Sequence, residues 1–259
     1  MAALLIDLDG VVYEGERPVP GAVEALGWLR QRDIPHLFLT NTTSRPRRAV
    51  VEKLAKMGIE VAAEEILMPA VAARAWLRGH VDGPVALFVA PETREDFGDL
   101  STADAGNVAA VVVGDYGPHW TFDELNRAFR LLMATPQPKL VALGMTRYWR
   151  AEDGLRLDTA PFVVALAHAA DVEPVVIGKP AAAFFRAALV QLAATPEDTH
   201  IVGDDARADI GGARALGIRG ILVKTGKFRP TDLKIGPDVV LESIAELPAW
   251  WSRGVTIRS

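Results

Sequence analysis

Short apolar runs alternate with helix-spaced stretches along most of this chain, and that alternation admits few architectures other than a parallel sheet with helical crossovers. Leu4 to Leu8 reads as a buried strand ending on acidic residues. After a Gly/Pro-rich stretch through Gly21, residues Ala22–Arg32 carry Val23, Leu26 and Leu29 at helical spacing. Ile34–Leu39 is a second strand, entering the polar loop Thr40-Asn41-Thr42-Thr43-Ser44. Pro46 opens a helix with Val50, Leu54 and Met57 on one face and Gly58 as its stop, and a further helix is expected over residues 63–78.

From Val81 the same grammar repeats. Val85–Val89, Val108–Val113 and Leu140–Leu143 read as strands, Thr121–Met133 and Pro161–Ala169 as helices. The first pattern resumes with a core strand at Val175–Ile177, then helix Ala182–Leu192, strand His200–Val202, helix Asp209–Leu216 and strand Gly220–Val223. The expected fold is α/β: a doubly wound, Rossmann-like parallel-sheet core from residues 1–81 and 177–259, with a smaller α/β domain inserted at 82–176.

The 259 residues are ample for such a core without staples, and the absence of cysteine excludes disulfide scaffolds, zinc ribbons and thiol catalysis. A net charge of −5 argues against gripping nucleic-acid phosphates. No apolar stretch approaches the ~20 residues of a membrane helix. The apolar run before Asp7 is too short for a signal peptide, so the expected location is the cytoplasm, with neither nucleic acid nor membrane as partner.

In open parallel sheets, ligands bind outside the carboxyl ends of the strands. The expected core strands deliver Asp7-Leu8-Asp9-Gly10, Thr40-Asn41, Gly178-Lys179-Pro180 and Gly203-Asp204-Asp205, with Asp209 beyond, to one edge. Each aspartate alone could be a turn former or helix cap. A D-x-D-G string is expected about 0.1 times by accident in such a chain and G-D-D-x-x-x-D about 0.01 times, so the ordered set outweighs its members. Packed carboxylates repel one another unless a cation shares them, and hard oxygen donors select Mg2+. Lys179 and Thr40 are then left to meet an anion, and a phosphate fits between metal and lysine. An aspartate can be the nucleophile, and a second can protonate the leaving oxygen and activate water.

Asp7-x-Asp9-Gly10-Val11, Thr40-Asn41, Gly178-Lys179-Pro180 and Gly203-Asp204-Asp205-x3-Asp209 resemble the four ordered motifs of the haloacid dehalogenase (HAD) superfamily. An insertion between the second and third motifs resembles the type IIA, C2-capped subgroup. Arg147-Tyr148-Trp149, Asp153-Gly154-Leu155 and Val223–Pro230 are similar to the branch holding the phospholysine phosphohistidine inorganic pyrophosphate phosphatases. The resemblance implies Asp7 as nucleophile and metal ligand, and Asp9 as general acid/base that also binds Mg2+ through its carbonyl. It implies Asp204 as the remaining protein ligand, with Asp205 and Asp209 as further ligands or supporting groups. Thr40 and Asn41 would hold the phosphoryl group, and Lys179 would neutralise charge. The second aspartate favours phosphate chemistry over carbon–halogen chemistry. The implied protein is a Mg2+-dependent phosphohydrolase with an aspartyl-phosphate intermediate, acting on a small phosphorylated compound and pairing as a homodimer through the cap. A phosphotransferase, a non-catalytic member of the fold and an Asp-phosphorylated signalling module are the alternatives.

Other conspicuous residues read more plainly. Arg45, Arg47 and Arg48 form a solvated face more readily than an anion site. Gly211-Gly212 reads as tight helix–sheet packing, Thr225-Gly226-Lys227 as a turn, and Trp250-Trp251 as packing for a last helix. In the insertion, Arg147, Tyr148 and the Asp158-Thr159-Ala160 segment are candidate contacts to the leaving group.

Overall fold

The computed structural model describes residues 2–151 and 153–254, with the backbone only at Arg150 and Ala151. The chain forms two compact units. One gathers the residues up to Thr40, Arg48–Leu67 and those from Lys179 onward; the other comprises Asn41–Arg47 and Met68–Gly178.

The first unit is built on a six-stranded sheet in the order Val239–Leu241, Arg219–Val223, Thr199–Gly203, Ala3–Asp7, His36–Leu39, Ile66–Leu67, with every pair parallel. Leu4, Leu5 and Ile6 are fully buried at its centre, as a continuous apolar run covered on both faces should be. The register sets Asp7 beside Leu39 and Ile6 beside Val202. Asp7, Thr40 and Asp204 therefore leave neighbouring strands at the same carboxyl edge. Gly212 allows close packing: a Cβ there would lie 2.7 Å from the Phe185 ring and 2.8 Å from Pro180.

The second unit holds a four-stranded parallel sheet in the order Val175–Val176, Lys139–Ala142, Ala110–Val113, Val85–Phe88. Helices Pro69–His80, Phe122–Leu132 and Thr159–Ala170 belong to this unit. Thr121 caps the second of them by accepting from Glu124 N at 3.2 Å. Trp120 stacks between Phe88 and Phe162, at 5.5 and 4.9 Å between ring centres.

Three expectations are corrected. The stretch 63–78 is not one helix: Ile66–Leu67 is the edge strand of the core sheet, and the helix starts at Pro69. Proline disfavours helical geometry in the residue before it, and Met68 is extended (φ −122°, ψ 159°). Val175–Ile177 is not a core strand; Val175 and Val176 pair with Val141 and Ala142 at the edge of the second sheet. Apolar run length identifies a strand but not its partner. The helix expected over Asp209–Leu216 is instead a π-helical turn, Ala206–Gly211, followed by a short α-helix, Gly212–Arg214. Tyr148–Ala151 also pairs antiparallel with Gly154–Leu157, with Tyr148, Trp149, Leu155 and Leu157 exposed. Among the described residues, no helix is long and apolar enough to cross a membrane.

At the opposite end of the core sheet from Asp204, His200 is buried edge-on against Trp250 and Trp251, both at 5.6 Å. The last helix, Leu247–Ser252, carries both tryptophans. Burial, reinforced by Arg219, pushes the His200 imidazole down to about 4, and its Nδ1 has no hydrogen-bond partner among the described residues. The unfolded chain takes up this proton near pH ~6.5 and the native protein only near 4, so this contribution to stability is lost as pH falls through that window. Relative to His200→Phe, the parent is expected to lose about 2–3 kcal/mol between pH ~7 and ~4, read by urea unfolding. A pH-independent gap between the two proteins would refute this.

Candidate active site

Lys179 lies at the centre of a buried ionic cluster. Its Nζ sits 2.6 Å from Asp7 Oδ1 and 2.7 Å from Asp209 Oδ1, and all three side chains are almost fully removed from solvent. Asp7, Asp204 and Asp209 each present a carboxylate oxygen within 4.8 Å of the others. Asp7 and Asp204 come from distant stretches of chain and meet because neighbouring parallel strands end at one edge, and the turn after Asp204 adds Asp209.

Local structure fixes each carboxylate. Asp209 is carried inward by the π-helical turn, a conformation often found at functional sites. Its Oδ2 accepts from Asp205 N at 3.1 Å, and a Cβ on Gly203 would collide with its side chain. Asp204 follows the Thr199–Gly203 strand, and its Oδ2 accepts from Lys227 N at 2.7 Å. Asp205 caps the π-helical turn, accepting from Arg207 N at 3.0 Å and Ala208 N at 2.9 Å.

Three buried carboxylates face one buried ammonium here, with the more exposed Lys227 adding a weaker positive charge, which is unfavourable without more positive charge. Burial, with Asp209 adding repulsion, raises Asp204 to about 6. Burial and Asp7 together raise Asp209 to about 6, against the pull of Lys179. Burial also raises Asp7, although Lys179 opposes it. Burial works against the Lys179 ammonium, but Asp209 and Asp7 more than offset that and hold its pKa above an ordinary lysine.

Asp204 Oδ1 is buried and has no hydrogen-bond partner among the described residues. An orphaned carboxylate oxygen beside two more carboxylates, with no histidine or cysteine in the cluster among the described residues, fits a hard divalent cation such as Mg2+. Asp7, Asp204 and Asp209 are the side chains placed to hold it.

The remaining candidates sit as follows. Asp9 is exposed, two residues past the end of the first strand, where its backbone bridges to Tyr13. Thr40 is buried at the end of the neighbouring strand, its N donating to Leu67 O at 3.2 Å. Asn41 belongs to the second unit, where a Cβ on Gly178 would lie 3.1 Å from its Oδ1. Arg48 pairs with Glu52 at 2.7 Å across one helical turn, and Arg47 N donates to buried Asp96 at 2.9 Å. Arg147 lies over the Tyr148 ring at 5.9 Å, and Asp158 caps the Thr159–Ala170 helix, accepting from Thr159 N at 2.6 Å. Sequence reasoning missed the loop Thr225–Lys227, which reaches Asp204. It follows the Arg219–Val223 strand, so its signal was the strand-end rule already applied to the other motifs.

Comparison with known proteins places this arrangement. Residues 4–101 match the family described as haloacid dehalogenase-like hydrolase, and residues 176–247 a HAD-hydrolase-like family. The chain is 40% identical over 238 residues to the human haloacid dehalogenase-like hydrolase domain-containing protein 2, covering 92% of this chain and 90% of that one. It is 32% identical over 250 residues to human phospholysine phosphohistidine inorganic pyrophosphate phosphatase, covering 94% and 91%. Among solved structures, p-nitrophenyl phosphatase from Archaeoglobus fulgidus superposes with a TM-score of 0.88 at 27% identity, covering 96% of this chain and 98% of that one.

Proposed function

This chain belongs to the haloacid dehalogenase-like hydrolases, and we propose that it hydrolyses small phosphorylated compounds by passing the phosphoryl group first to Asp7 and then to water. The observation that carries this reading is the buried carboxylate cluster around Lys179 at the carboxyl edge of the core sheet.

Lys179 engages Asp7 Oδ1, which leaves Oδ2 as the attacking oxygen. Attack forms the Asp7–phosphorus bond and breaks the bond to the leaving group. Asp9 gives its proton to the departing oxygen or nitrogen. The same carboxylate then takes a proton from water, which attacks phosphorus and releases Asp7. Thr40 and Asn41 hold the phosphoryl oxygens, and the Lys179 ammonium opposes the charge that spreads over them. Held by Asp7, Asp204 and Asp209, Mg2+ would supply further positive charge against those oxygens.

The inserted region 82–176 is the part proposed to select the leaving group. The relative named for phospholysine, phosphohistidine and pyrophosphate supports including phosphorus–nitrogen and phosphoanhydride bonds in a substrate panel alongside monoesters. Release of phosphate from p-nitrophenyl phosphate is expected with Mg2+ and to fall to background in EDTA. Turnover in EDTA equal to that in Mg2+ would overturn the metal-dependent reading.

A further inference from the structure

The loop Thr225-Gly226-Lys227 touches the acidic centre without contributing a carboxylate to it. Lys227 N donates to Asp204 Oδ2 at 2.7 Å. Thr225 Oγ1 donates to Gly10 O at 2.5 Å, and Gly226 N donates to Glu14 Oε1 at 2.7 Å. The loop is thus tied at its first two residues to the segment just after Asp7 and Asp9, and at its third to the Asp204 carboxylate.

Steric fit makes the same connection. Gly10 and Gly226 face each other across Asp204 Oδ2: a Cβ on either would collide with that oxygen, and one on Gly226 would also lie 2.7 Å from Gly10 Cα. Both glycines have positive φ, 84° and 65°. Oδ2 is therefore enclosed by two glycine backbones and held by one amide, while Oδ1 of the same carboxylate is left buried without a partner among the described residues. Fixing one oxygen fixes the orientation of the other.

We propose that Thr225–Lys227 is a clamp that sets the orientation of Asp204, and so the affinity of the centre for its divalent cation. This rests on the metal-centre reading above. Thr225 and Gly226 are positioning residues: they act through Gly10 and the Asp204 carboxylate. An outer contact that orients a ligand typically changes metal affinity by about 10–100-fold.

The test is Mg2+ binding to the full chain by isothermal titration calorimetry, with Mn2+ resonance spectra as a second readout. Thr225→Val removes the hydroxyl without changing shape and is expected to weaken Mg2+ binding about tenfold. Thr225→Ser, which keeps the hydroxyl, is expected to bind as the parent does. Gly226→Ala is expected to weaken binding at least as much; if it does not fold, Thr225→Val alone decides. A purely structural loop would lower the metal-free melting temperature and leave Mg2+ affinity unmoved. Equal affinity in the parent, Thr225→Val and Gly226→Ala overturns the clamp, as does failure of Thr225→Ser to restore it. A parent that binds no Mg2+ overturns the metal centre itself, and the clamp with it.

Discussion

Asp7→Asn is expected to cut phosphate release by at least about 10^4-fold while leaving a folded and more stable metal-free protein. The first half follows from chemistry: an amide oxygen carries no charge with which to attack phosphorus, and no other carboxylate in the cluster is proposed as nucleophile. The second half follows from the electrostatics. Asp7 raises the Asp209 pKa and is itself raised by burial, so removing its charge relieves a repulsion within the core. The amide keeps the shape of the side chain and leaves Oδ1 able to accept from Lys179. Loss of activity with an unchanged or raised melting temperature separates loss of the nucleophile from loss of the fold. Asp9→Asn is the matched control. Asp9 is exposed and outside the three-carboxylate cluster, so its replacement should remove turnover with Mg2+ binding largely kept. Appreciable turnover in Asp7→Asn would end the covalent mechanism.

The residues legible in the sequence are those whose position is dictated by strand ends. Asp7, Thr40 and Asp204 each follow a short apolar run, and parallel pairing leaves them no choice but one edge of the sheet. Lys179 reaches the cluster by another route. It follows Val175–Val176, a strand of the other unit's sheet, so its contact with Asp7 does not come from the end of a core strand. Asp209 was visible as part of an acidic string, but its inward course depends on a π-helical turn that residue spacing does not encode. Thr225-Gly226-Lys227 reads as a turn because its letters are those of a phosphate loop in the wrong order. Its contribution is a backbone amide and two close glycine approaches, which only three-dimensional proximity makes visible. The antiparallel pair Tyr148–Ala151 and Gly154–Leu157 is hidden for a related reason: exposed apolar residues on a short ribbon look the same in sequence as a loop.

Lys179→Met should be the more damaging substitution for stability, and its damage should depend on pH and on metal. Methionine fills similar space but leaves Asp7, Asp204 and Asp209 facing one another with no buried ammonium among them and only the exposed Lys227 to oppose their charge. Removing one partner from a buried ionic group typically costs about 3–5 kcal/mol. The protein can reduce that cost by keeping protons on the carboxylates. In the parent, burial and neighbouring carboxylates already push Asp204 and Asp209 up to about 6, above the ordinary value of 3.8. Groups raised in this way contribute stability that is fully present below their unfolded pKa and lost as pH rises through the folded one. Without Lys179, both should rise further, so the metal-free variant should approach the parent near pH ~5 and fall well below it at pH ~8. Millimolar Mg2+ should recover part of the deficit at pH ~8, because the cation binds the native cluster and not the unfolded chain. Turnover should still fall about 10^2–10^3-fold even when Mg2+ is saturating, since the metal does not replace the ammonium that holds Asp7 Oδ1. Urea unfolding at the two pH values, with and without Mg2+, reads all of this. A deficit that is the same at both pH values and blind to Mg2+ would mean that Lys179 fills space and does not balance charge.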